Sequence, residues 1–136
     1  MTEQPLDLRR PASLAVGVPY AYAATTRDRP LLVFTAGACP LDGSGSTVAP
    51  GDVVAQAEQV MANLGAALGA AGARLDDVVK STVYVASSER ADLVAAWGVV
   101  RRQFGAHEPP STLLGVTALG YPEQLVEVEA VAALAE

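Results

Sequence analysis

The chain has 136 residues and 13.9 kDa, is 51% hydrophobic with only 5% aromatic residues, and carries a net charge of −6 at pH 7. Its length suits one domain, residues 1–136. No apolar run approaches the roughly 18 residues of a membrane span, and the scattered Arg residues with a single Lys form no stripe for nucleic acid.

Residues 1–18, with Pro5 and Pro11, read as a lead-in holding at most a short strand. Glu3, Asp7 and the missing apolar core of a signal peptide exclude a secretory leader in Met1 to Arg10. A strand is predicted over 20–25, ended by the charged turn Arg27-Asp28-Arg29-Pro30. The continuous apolar run 31–36, between Pro30 and Gly37, predicts a buried strand. Residues 41–47 form a turn of Gly and small polar residues. Gly43 and Gly45 sit in that hairpin without the Gly-Lys-Ser/Thr of a phosphate loop.

Asp52 is placed to cap a helix. From Val53, the residues Ala57, Val60, Met61, Leu64, Ala67, Leu68 and Ala71 recur at helical spacing, with Gln56, Glu58, Gln59 and Asn63 on the other face and Gly72 at the end. Asp76-Asp77 introduces a strand over 78–86, rich in β-branched residues. Ser87 or Ser88 is expected to cap a second helix with Leu93, Trp97, Val100 and Phe104 on one face, Arg101 and Arg102 outside, and Gly105 as its stop. Pro109-Pro110 opens a strand over 111–119, and Gly120-Tyr121-Pro122 turns the chain into a last strand over 125–134. The order β-β-α-β-α-β-β predicts an α+β sandwich with both helices on one face of the sheet.

In the last strand, alternation sets Val126, Val128, Ala130 and Ala132 on one face and Glu127, Glu129 and Val131 on the other. Two carboxylates so placed can do general acid–base work or simply be a solvated strand face. Metal binding is not expected, because His107 and Cys39 are each the only residue of their kind and are not at ligand spacing. His107, before a Pro pair and with no Gly-x-Ser-x-Gly elbow, is read as an exposed loop residue rather than part of a triad. Cys39 is either a nucleophile or a small buried apolar group; no basic residue near it in sequence favours the former. A lone cysteine also fits a reducing compartment, so a cytoplasmic location is expected. Trp97 packs in the core or lines a cleft, and Tyr20 packs or sits at a pocket rim. The 26 Ala and 18 Val, with no Ile, make the apolar surface small-sided, and its excess over charge implies faces that meet another subunit.

Taken together the segments resemble the RidA (YjgF) family, from about Pro19 to Ala133. The pieces are Val18-Pro-Tyr20, Phe34-Thr-Ala-Gly-Ala-Cys-Pro-Leu-Asp42, Gln56 to Leu64, Ala71 to Lys80, Thr82-Val-Tyr-Val85, Phe104-Gly105, Pro109-Pro-Ser-Thr112 and Leu125 to Val131, in the family's order. The resemblance implies a chorismate-mutase-like α+β fold, with a mixed sheet and two helices on one face, assembled as a homotrimer. In it the sheets form a central barrel and small ligands bind in clefts between subunits. It implies hydrolysis of reactive enamines and imines formed from amino acids, such as 2-aminoacrylate, to 2-oxo acids and ammonia, with no metal or organic cofactor. The family's glutamate, which positions or activates the attacking water, corresponds to Glu127, and its cleft tyrosine to Tyr20.

Other positions depart from the family pattern. Ser111 stands where the family has an arginine that grips the substrate carboxylate, Ala36 where it has a serine, Trp97 where it has an asparagine, and Leu113 where it has a cysteine. One hydroxyl replaces a bidentate cationic fork, a loss of about 1.5–3 kcal/mol for a carboxylate ligand. Two readings follow. One is a hydrolase with an altered substrate range, using Glu127 on water and Ser111 and Thr112 as hydroxyl donors. The other is a binding or regulatory protein that keeps the cleft without turnover. Ribonuclease activity, known for some relatives, is opposed by the acidic charge.

Overall fold

A computed structural model describes residues 6–135. The elements in chain order are β1 (Asp7–Arg9), β2 (Ala23–Thr25), β3 (Leu31–Phe34), α1 (Val53–Ala70), a 3-10 turn (Leu75–Asp77), β4 (Val78–Val85), α2 (Arg90–Phe104), β5 (Ser111–Gly115) and β6 (Val126–Leu134). The helix expected from Val53 forms as its periodicity dictates. Asp52 caps it, accepting from the Ala55 N–H at 3.0 Å, and Gly72 follows it at φ +82°, a conformation that costs glycine little. Val60, Leu64 and Leu68 on its inner face are fully buried.

The main sheet runs β3-β6-β4-β5. β6 is antiparallel to both β3 and β4, whereas β4 and β5 are parallel and joined through α2. Alternation along β6 is as expected. Val126, Val128, Ala130 and Ala132 are buried under the helices, and Glu127, Glu129 and Val131 face the other way. Both helices pack on that one face: Val83 and Val85 of β4 join Leu64 of α1 and Val99 and Val100 of α2 in one core. The small side chains of Ala57 and Ala96, both fully buried, suit closely packed elements. β1 and β2 form a separate two-stranded ribbon.

Several elements differ from the sequence expectation. β3 forms, but Leu31, Leu32 and Phe34 are 51%, 49% and 71% exposed. It is an edge strand, and among the described residues no helix covers the face that carries Phe34. β2 is confined to Ala23–Thr25 and β5 stops at Gly115. A side chain at Gly115 would meet the Ser87 carbonyl oxygen at 2.8 Å, so the backbones approach closely there. α2 starts at Arg90, with Glu89 in the cap position and neither Ser87 nor Ser88. The Ser87 hydroxyl instead accepts from the Glu89 N–H and donates to Asp92, shaping the turn one step earlier.

Candidate functional site

Two clusters of side chains emerge, on opposite sides of the sheet. The first lies at the free edge of β5, beside α2. There Tyr20, Trp97, Ser111, Thr112 and Leu113 line a cavity of about 380 Å³. These are five of the seven positions expected to form the site. Trp97 is half-buried and reaches the core with one side while walling the cavity with another. Tyr20 is held at the cavity by an edge-to-face contact with Tyr22, centroids 5.7 Å apart. Nearby, the Ala21 N–H donates to the Glu108 carbonyl, tying this loop to the segment before β5.

Ser111 is not the donor expected of it. Its Oγ donates to the Pro109 carbonyl at 3.1 Å and lies 2.5 Å from the Oγ of fully buried Ser81 on β4. A hydroxyl has one proton; either serine can donate in their pair, and in both arrangements the Ser111 proton already has a protein acceptor, the Pro109 carbonyl or Ser81. Thr112 differs. Its Oγ1 accepts from Nζ of Lys80, the only lysine, at 2.7 Å, so its own proton is available.

The second cluster surrounds Glu127, which by alternation faces away from the helices while Ser111 shares the helix-side face with Ser81. The Glu127 carboxylate lies over Gly37. A Cβ there would come within 2.6 Å of Glu127 Cδ and 2.8 Å of Cγ, so only glycine leaves room for this rotamer. Oε1 accepts from Gln124 Nε2 at 3.1 Å and from Cys39 Sγ at 3.3 Å. Glu129 has its own donor, the Tyr84 hydroxyl at 2.7 Å, which together with burial holds the phenol above its ordinary pKa. The two carboxylates therefore belong to different hydrogen-bond sets. Ala36, the seventh expected position, is exposed on the segment just before Gly37.

Two amides of α1, across the sheet, hold the segments that carry this second cluster. Gln56, expected on a polar face, is fully buried: its Nε2 donates to the Ala49 and Glu123 carbonyls and its Oε1 accepts from the Leu125 N–H at 2.7 Å. Asn63 donates to the Cys39 and Leu41 carbonyls at 2.8 and 2.9 Å. These amides pin the loop before β6 and the segment after β3, which carry Gln124 and Cys39. Neither Gln124 nor Gly37 stood out in the sequence. The nearest signal was the position of both in segments flanking Glu127's strand and its neighbour.

Cys39 is half-buried and not inertly packed. Burial first, then the Glu127 carboxylate, pushes its pKa up to about 11, so at neutral pH it is a thiol that donates and not a nucleophilic thiolate. His107 is also not exposed. It is half-buried, one ring nitrogen lying 2.7 Å from the Val78 carbonyl and its ring edge-on to Phe104, which assigns it to the seam between α2 and β4.

A mixed sheet with two crossover helices on one face, an open opposite face and a cavity at its edge defines a RidA-like α+β protein. The family model described as Endoribonuclease L-PSP matches residues 11–134. The protein DfrA of Myxococcus xanthus is 36% identical over 121 residues, covering 89% of this chain and 88% of that one. The 2-iminobutanoate/2-iminopropanoate deaminase of Mus musculus is 35% identical, covering 89% and 84%. Among solved structures, the Rid-family protein YyfB of Yersinia pestis superposes with a TM-score of 0.89 at 30% identity, covering 96% of this chain and all of that one. The chain belongs to the RidA (YjgF) family.

Proposed function

We propose that the chain, acting as one domain over residues 1–136, hydrolyses small reactive imines or enamines that lack a carboxylate next to the reacting carbon. The observation that carries this reading is the commitment of Ser111. Where arginine-bearing relatives have a cationic fork, this cavity offers a hydroxyl whose proton is already used, together with the apolar walls of Trp97 and Leu113. A carboxylate placed there loses its charge-assisted pair and is desolvated without a partner. An uncharged substrate has no such pair to lose.

The site is completed between copies of the chain. Ser111 and Glu127 look out from opposite faces of one sheet, so Glu127 serves the β5-edge cavity of a second copy. The exposed Phe34 and Leu114 on the open face fit burial in a homotrimer with its sheets turned inward. No helix among the described residues is long and apolar enough to cross a membrane, and the net charge of −6 argues against RNA as the substrate.

In the reaction, water adds to the C=N carbon while Glu127 takes its proton and the nitrogen is protonated. In the resulting carbinolamine the proton held by Glu127 passes to the amino nitrogen; the hydroxyl proton is then lost to the freed carboxylate, the C–N bond breaks, and ammonia leaves with the electron pair, giving the carbonyl compound. No cofactor enters this scheme. Ammonia release from an imine generated in situ, with and without an α-carboxylate, tests the reading. The uncharged imine should be hydrolysed well above the buffer rate, and Glu127→Gln should abolish the excess.

A non-catalytic binding protein is the second reading, favoured by the same used-up hydroxyl. It predicts that the uncharged imine or its carbonyl product stabilises the protein to heat with no turnover. Ser111→Arg separates the two, because imino-acid hydrolysis gained in that variant requires the rest of the machinery to be intact.

A further inference from the structure

We infer that Gln124 and Cys39 are positioning residues that clamp one oxygen of Glu127 and leave the other as the working base; this rests on the reading of Glu127 as the group that handles water. Three observations support it. First, Gln124 is 4% exposed and its amide orientation is fixed from both ends. Its Oε1 accepts from the Tyr121 N–H at 3.0 Å, and its Nε2 donates to the Val126 carbonyl and to Glu127 Oε1, each at 3.1 Å. Holding the turn needs only the first two bonds. The third is spent on the carboxylate.

Second, the donors converge on the same oxygen. Cys39 and Gln124 both reach Oε1, which at 3.3 Å is a nearer acceptor for the single thiol proton than the Gly37 carbonyl at 3.5 Å, and no described residue donates to Oε2, which lies against the side-chain-free surface of Gly37. A carboxylate bound this way is locked in rotation, with one oxygen occupied and one presented. Third, Cys39 suits that task because it is a weak donor. It orients Oε1 without neutralising the carboxylate as an ammonium or guanidinium would. The thiol's raised pKa keeps the proton in place for that bond across the neutral range.

The test combines kinetics on an uncharged imine with a spectroscopic readout of the only thiol. Gln124→Met keeps the volume and removes the donor; kcat should fall about tenfold with KM changed by less than about twofold. Cys39→Val should lower kcat by about threefold, and Cys39→Ser, which restores a donor, should recover it. A rise in KM at unchanged kcat, or equal loss in Cys39→Ser and Cys39→Val, would overturn the inference. The Raman S–H stretch of Cys39 needs no turnover. It should lie at the low, hydrogen-bonded position in the native chain, move up in Glu127→Leu, and move further down in Gln124→Met as the competing donor is lost. One position in all three proteins overturns the clamp. Absence of turnover in the native chain would count against the hydrolase reading alone, and the S–H band would still decide whether the clamp exists.

Discussion

Replacing Gly37 by alanine probes the packing on which the Glu127 geometry depends. Gly37 has no positive φ, so alanine meets no backbone penalty, and any cost comes from its Cβ. That atom would sit 2.6 Å from Glu127 Cδ and 2.8 Å from Cγ, well inside contact distance. The carboxylate must swing away and give up its bonds to Gln124 and Cys39. Overpacking of this kind costs about 1–3 kcal/mol. In a Glu127→Ala background the colliding atoms are gone, and the same substitution should cost less than about 0.5 kcal/mol. Urea unfolding of the four proteins at one chain concentration, since assembly adds to apparent stability, gives the coupling directly. An equal loss in both backgrounds would refute the reasoning, because the cost would then lie in the backbone or elsewhere.

Further outcomes follow from the same contacts. Gln56→Met keeps the buried volume but strands the Leu125 N–H and the carbonyls that Gln56 serves; it should cost about 1–3 kcal/mol in denaturant and lower kcat by loosening the loop that carries Gln124. The Cys39 thiol, pushed up to about 11 from an ordinary 9.0, is stabilised in its neutral form by the fold. That contribution is complete below pH 9 and is lost as pH rises through 11, so the stability gap between the native chain and Cys39→Ala should shrink over this window; a gap independent of pH contradicts it. Phe34, 71% exposed on the open face, is expected to be covered in the proposed trimer. Light scattering should give a mass of about three chains, falling in Phe34→Glu; one chain's mass for the native protein contradicts assembly.

Much of the architecture is written locally. The α1 stripe and the alternation of β6 each lie within one element, where period alone separates buried from outward positions. β3 shows the limit of that logic. A continuous apolar run looks the same whether a helix of its own chain or a neighbouring subunit covers it, and in β3 only the inner side is covered from within. Gln56 departs from expectation for a related reason: polarity suggests the outside, but its amide satisfies three backbone groups between loops that come together only on folding. The site was legible as residue types, through the resemblance to a family, and not as geometry. That Ser111 is committed to Pro109 and Ser81, and that Cys39 meets Glu127 88 positions away, depends on strand pairing between distant segments. No spacing rule encodes such contacts.

In the proposed assembly the site is shared by two copies, with the β5-edge cavity from one and Glu127 from the other. Subunit complementation tests it most directly. Glu127→Gln chains lack the base, and Ser111→Phe chains have the cavity filled; each alone should fail to hydrolyse the uncharged imine. Unfolded, mixed in equal amounts and refolded together, they should regain about a quarter of native activity, the fraction of sites that draw both wild-type halves in a random closed ring. No recovery in assemblies of native mass would contradict the shared site.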